Sequence, residues 1–140
     1  MQSHREEREQ AKRVTAAILM RGRELFIAQR PPGDRLALLW EFPGGAVEEG
    51  ETPEACLMRE MHEEFGIRVE VFSLFGKSLY RYDHALIDLW AYRVRWTGGQ
   101  LRPRVHAAVA WVPVRELDRY AFSPADLPFV HRLRSELDTK

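Results

Sequence analysis

Gly44-Gly45-Ala46-Val47-Glu48-Glu49-Gly50-Glu51-Thr52-Pro53-Glu54-Ala55-Cys56-Leu57-Met58-Arg59-Glu60-Met61-His62-Glu63-Glu64-Phe65-Gly66-Ile67 is the stretch that decides the fold. Its second half predicts a helix. Thr52 is a good N-cap, Pro53 suits the first helical position, and Glu54 sits at the positive end of the helix dipole. Gly66 is the C-terminal stop. At helical spacing Ala55, Met58, Met61 and Phe65 form an apolar stripe, with Leu57 at its margin. Glu60, Glu63 and Glu64 fall on roughly the opposite side.

Such crowding of acid needs a cause, because like charges at this spacing repel by about 0.2–0.5 kcal/mol per pair. A solvated acidic face is one reading. A site for divalent cations is the other, since Mg²⁺ takes carboxylate and carbonyl oxygens and leaves room for substrate phosphates. The glycines Gly44, Gly45 and Gly50, which let backbone come close to a ligand, and the further acid Glu51 favour the metal.

Gly45, Glu51, Arg59-Glu60-Met61, Glu63-Glu64 and Gly66-Ile67 stand at the spacing G-x5-E-x7-R-E-U-x-E-E-x-G-U, with U a bulky aliphatic residue. Here the sequence resembles the Nudix family, whose box this pattern is. The resemblance runs from about Val14 to the last helix. It implies an α/β fold, an α/β/α sandwich with a mixed sheet between helices and the box as loop–helix–loop. It implies Mg²⁺ or Mn²⁺ as cofactor. Glu60, Glu63 and Glu64 would be metal ligands, with a carbonyl of Gly44 or Gly45. Arg59 would orient the carboxylates, Glu51 and Gly66 would have structural roles, and Glu60 or Glu63 would be the catalytic base. The implied reaction is hydrolysis of a nucleoside diphosphate linked to another group.

The flanks narrow this. Gln29-Arg30, Trp40-Glu41-Phe42-Pro43-Gly44-Gly45 and Phe122-Ser123-Pro124-Ala125-Asp126 are similar to the MutT branch, which converts nucleoside triphosphates, often oxidised or modified, to monophosphate and pyrophosphate. Arg30, Phe42 and Asp126 are the candidate substrate-binding residues. Phe42 is either a base-stacking ring or a core residue, and Arg30 either a phosphate or base contact or a surface arginine. Members with asparagine at the position of Asp126 read a purine with it. An aspartate donates a hydrogen bond only when protonated, which argues against an 8-oxoguanine preference. Many MutT-like proteins also carry a glutamate ahead of the late strand, often followed by histidine. Here Val105-His106 stand there, so a metal ligand is missing unless another acid reaches in. Asp83 and His84 are further candidates near the site. The alternatives are another Nudix activity, on a dinucleoside polyphosphate, ADP-ribose or a nucleotide sugar, and a non-catalytic nucleotide-sensing module.

The rest of the chain fits one domain. Its 140 residues are 45% hydrophobic and 30% charged, a globular composition. Formal net charge is zero, which disfavours a nucleic-acid partner. Cys56 is the single cysteine, so no internal disulfide forms, and its place in the helix suits packing. No stretch suggests a membrane span or a signal peptide, and a cytoplasmic protein, monomer or homodimer, acting on a small nucleotide is expected. Residues 1–12 read as a polar arm and 13–140 as the domain. Strands are predicted at Val14–Met20, Glu24–Gln29, Trp40–Pro43, Val69–Lys77, Ala85–Trp96 and Ala107–Val112, with Ser78–Tyr82 either continuing the fourth or beginning another. A helix is predicted at Leu127–Leu137.

Overall fold

A computed structural model of the protein describes residues 10–138. Strand β1 (Lys12–Arg21) turns at Gly22 into β2 (Glu24–Gln29). A loop leads to the short β3 (Trp40–Glu41), and the box follows with helix α1 (Pro53–Phe65). Strands β4 (Ile67–Arg81), β5 (Leu86–Gly99) and β6 (Ala108–Pro113) come next. Two 3₁₀ turns, Val114–Arg119 and Pro124–Asp126, lead into α2 (Leu127–Asp138). The expectation for the arm over residues 1–9 lies outside the described residues; Lys12 already belongs to β1. Among the described residues no helix is long and apolar enough to cross a membrane.

The strand order is β3-β2-β1-β5-β4, with β6 on the other edge of β2. β1 and β5 run parallel from Lys12↔Ile87 to Leu19↔Val94, and the remaining pairs are antiparallel, so the sheet is mixed. The continuous apolar run of β1 follows from burial on both faces. Ala16 and Ile18 face a core closed by Phe129, Val130 and Leu133 of α2. Ala17 and Leu19 face one closed by Leu57, Met61 and Phe65 of α1. This is the helix–sheet–helix sandwich the resemblance implies.

One feature of β1 positions the site. Its pairing with β2 is confined to the hairpin end, Met20↔Leu25 and Arg21↔Glu24. Where β2 leaves, the box loop takes its place: Thr15 N donates to Gly45 O (2.8 Å), Ala17 N to Pro43 O (2.7 Å) and Val47 N to Arg13 O (3.0 Å). Buried backbone groups need partners, and these bonds supply them.

The caps of α1 form as its sequence predicts. Thr52 Oγ1 accepts from Ala55 N at 3.1 Å, and Gly66 takes the left-handed conformation at φ 75. The orphan carbonyls at the C-terminus are satisfied by the β5–β6 connection: Arg104 N reaches Glu64 O, Arg102 N reaches Phe65 O, and the Arg104 guanidinium donates to Glu63 O. The apolar stripe needs correction. Leu57, Met61 and Phe65 are fully buried, whereas Met58 is 43% exposed. The helix seats its i, i+4 row of Leu57, Met61 and Phe65 on the sheet, which turns Met58 to solvent.

Candidate active site

Arg59 is the hub of the box. Its Nε and Nη2 donate to both carboxylate oxygens of Glu51 at 2.7 and 3.0 Å, a bidentate pair. Nη1 donates to Glu60 Oε1 at 2.8 Å and to Glu63 Oε2 at 3.2 Å, and Nη2 to the Ala46 carbonyl at 3.3 Å. The hydrogen bonds from Arg59 and from the Glu48 amide hold the Glu51 carboxyl down at about 2. One guanidinium thus ties loop, helix and carboxylates together.

Glu60 lies against Gly45. A Cβ there would stand 2.6 and 2.7 Å from its two carboxylate oxygens, so only glycine leaves the room. A Cβ on Gly44 would overlap the Thr15 carbonyl. Gly45's own carbonyl is engaged, by Thr15 N at 2.8 Å, Thr15 Oγ1 at 3.2 Å and Cys56 Sγ at 3.5 Å. It is not the open oxygen a cation would take. The Gly44 carbonyl is, since it accepts no hydrogen bond among the described residues. Glu64 is half-buried, and burial, then the charge of Glu60, pushes its carboxyl up to about 7, with His106 acting the other way.

Beside α1 lies a cavity of about 500 Å³. Glu64, Gly44, Gly45, Tyr82, His84 and Asp126 are among the residues that line it. A polar chain crosses its wall. Asp34 accepts from Arg30 Nη2 at 2.8 Å, Arg30 Nη1 donates to Glu41 Oε1 at 2.7 Å, and Glu41 Oε2 meets His106 Nε2 at 3.0 Å. The His106 ring stacks on Phe65, the last residue of α1, with centroids 5.0 Å apart. Asp126 is buried, and its Oδ1 accepts from the Phe42 amide at 3.0 Å. Burial, then Glu41, drives its carboxyl well above the ordinary range, and the Phe42 bond and Arg30 only partly offset this. Burial and the charge of Glu41 both favour the protonated carboxyl, the form that can donate.

Of the expected residues, Arg59, Glu51 and Glu60 come together, with Glu64 beside them. Glu63 keeps a side chain 59% exposed and turned onto Arg59. Arg30 and Asp126 line the cavity. Phe42 also borders the cavity, but it is 2% exposed and its ring packs on Phe122 at 5.3 Å, which makes it chiefly a core ring. Tyr82 and His84, which also line the cavity, stack on each other with centroids 5.5 Å apart at 18°. Val105 lies exposed at the cavity. A further acid at the cavity is Glu41, both of whose carboxylate oxygens are engaged by Arg30 and His106. It sits next to Phe42 in β3, and only its position inside the Trp40–Gly45 motif hinted at it. Cys56 is fully buried, and burial pushes its thiol up, as suits a packing residue.

The donor set here is all oxygen, from Glu60, Glu64, the nearby Glu63 and the Gly44 carbonyl, and this chemistry fits a hard divalent cation. Among the described residues no three acidic, histidine or cysteine side chains already stand at a common ligand distance.

A family profile described as NUDIX domain matches residues 11–133. The CTP pyrophosphohydrolase of Escherichia coli (strain K12) is 36% identical over 117 residues, covering 84% of this chain and 87% of that one. The 8-oxo-dGTP diphosphatase of the same strain is 36% identical over 111 residues, covering 79% and 86%. The solution structure of the E. coli ORF135 protein superposes with a TM-score of 0.79 at 34% identity, over 89% of each chain.

Proposed function

The chain belongs to the NUDIX domain family, and we propose that it is a MutT-like pyrophosphohydrolase, cleaving a nucleoside triphosphate to the monophosphate and pyrophosphate with Mg²⁺ or Mn²⁺. The observation that carries this is the Arg59 hub, which holds Glu51, Glu60 and Glu63 where Glu64 opens into a cavity of nucleotide size.

Glu60, Glu63, Glu64 and the Gly44 carbonyl would hold the cation. When bound, it neutralises phosphate charge and lowers the pKa of water. Arg59 fixes Glu60 by a 2.8 Å charge-assisted bond and keeps it oriented. Of the two candidate bases, Glu63 suits proton removal from a water better. Its exposed carboxylate is held by a single bond to Arg59, whereas Glu60 is pinned between Arg59 and Gly45. Tyr82 and His84 offer a face for the base. In its protonated form Asp126 would donate to a base acceptor through the carboxyl oxygen that Phe42 leaves free, and the Arg30–Glu41 pair supplies a donor and an acceptor at the same cavity.

The test is a substrate panel with Mg²⁺: canonical and oxidised nucleoside triphosphates, ADP-ribose and diadenosine polyphosphates. Preference for triphosphates supports the reading. Turnover confined to ADP-ribose or dinucleotides would move the chain to another Nudix activity, and nucleotide binding with no turnover would make it a sensor.

A further inference from the structure

Thr15 is a polar residue in the middle of a buried strand. It is 1% exposed, with Ala16 and Ala17 beyond it at 0%. Valine would match its shape and β-propensity without a hydroxyl to satisfy. The hydroxyl therefore answers to something other than the strand. It donates to Gly45 O at 3.2 Å, parallel to the Thr15 amide bond to the same oxygen, and lies 3.4 Å from Cys56 Sγ. The thiol in turn reaches Gly45 O at 3.5 Å and Ala46 O at 3.4 Å.

Together with Ala17 N on Pro43 O, these bonds tie off the carbonyls of Pro43, Gly45 and Ala46 and leave Gly44's open. The same Gly45 that Thr15 grips is the residue against which Glu60 lies. A displacement of Gly45 moves the Gly44 carbonyl and the Glu60 carboxylate at once.

We propose that Thr15, acting with Cys56, is a positioning residue of the cation site: its hydroxyl sets the Gly44 carbonyl and the Glu60 carboxylate relative to each other. This rests on the reading that these oxygens hold the divalent cation. Partners of this kind behind metal ligands typically change affinity by about 10–100-fold when removed.

The experiment is calorimetric titration of Mn²⁺ into the full chain without nucleotide, for wild type, Thr15→Val, Thr15→Ser and Cys56→Ala, with melting temperatures recorded alongside. Thr15→Val is expected to weaken Mn²⁺ binding about tenfold. Thr15→Ser should stay within about twofold of wild type even though losing its methyl group lowers the melting temperature. Cys56→Ala should weaken binding in the same direction and by less. Thr15→Val binding Mn²⁺ within about twofold of wild type overturns the proposal, whatever its melting temperature. Should Thr15→Val fail to fold, an unchanged affinity in Cys56→Ala overturns it. A wild-type chain that binds no Mn²⁺ overturns the cation reading itself, and this proposal with it. Wild-type binding with unaffected variants removes the positioning role alone.

Discussion

Glu64→Gln separates the cost of the carboxylate from its use. The substitution keeps the shape of the side chain and removes its charge. In the folded chain burial and the neighbouring Glu60 raise this carboxyl from 4.5 to about 7. At about 1.36 kcal/mol per pKa unit, that is an upper bound of about 3 kcal/mol against the ionised form. The group is only partly buried, and solvent screening reduces the figure to about 1–2 kcal/mol. The sign follows from the direction. A carboxyl whose folded-state pKa is raised holds its proton longer in the native chain. Stability therefore falls as pH rises from 4.5 to about 7 and is level above. The glutamine has no such loss. In chelator at pH 8 the variant should melt about 3–7 °C above wild type, and near pH 4.5 the two should coincide. Added Mn²⁺ should reverse the order, because it stabilises the wild-type native state by binding there. Turnover should fall by about two orders of magnitude or more. Differential scanning fluorimetry across pH, with and without Mn²⁺, reads the first part, and initial rates read the second. A variant that melts below wild type in chelator at pH 8, or that keeps turnover within about threefold, would refute the reasoning.

Gly45→Ala should drive the Glu60 carboxylate from its place, costing about 1–3 kcal/mol in urea unfolding and at least about tenfold in turnover. Asp126→Asn keeps the acceptor for the Phe42 amide and removes a buried acid, so its melting temperature at pH 8 should equal or exceed that of wild type. The base preference should change with it, as a triphosphate panel would read. Leu57→Ala should cost about 2–5 kcal/mol and Met58→Ala less than about 1 kcal/mol, measured by chemical denaturation, because only Leu57 is buried.

How much of this was legible depends on how local the signal is. The caps of α1 are written in adjacent residues, Thr52, Pro53 and Gly66, and the structure forms them as read. Leu57 and Met58 both fit a helical stripe, and the sheet to which the helix is fitted decides between them. Glu60, Glu63 and Glu64 share a motif, yet their separation into a pinned, an exposed and a half-buried carboxylate depends on Gly45, Arg59 and His106. Phe42 and Glu41 are neighbours in one quoted motif. Strand alternation points one side chain into the core and the other into the cavity, and the sequence names neither face. Tyr82 is brought beside Asp126 by a hydrogen bond from the Ala125 amide to its hydroxyl at 2.9 Å, a contact between residues far apart in the chain.

The central claim is that the carboxylates of α1 serve the cleavage of a triphosphate into monophosphate and pyrophosphate. Phosphorus NMR of a nucleoside triphosphate incubated with the protein and Mg²⁺ tests it most directly. Only the monophosphate and pyrophosphate resonances should grow, and chelator or Glu64→Gln should halt them. Growth of nucleoside diphosphate and inorganic phosphate, or the same products at the same rate in chelator, would contradict it.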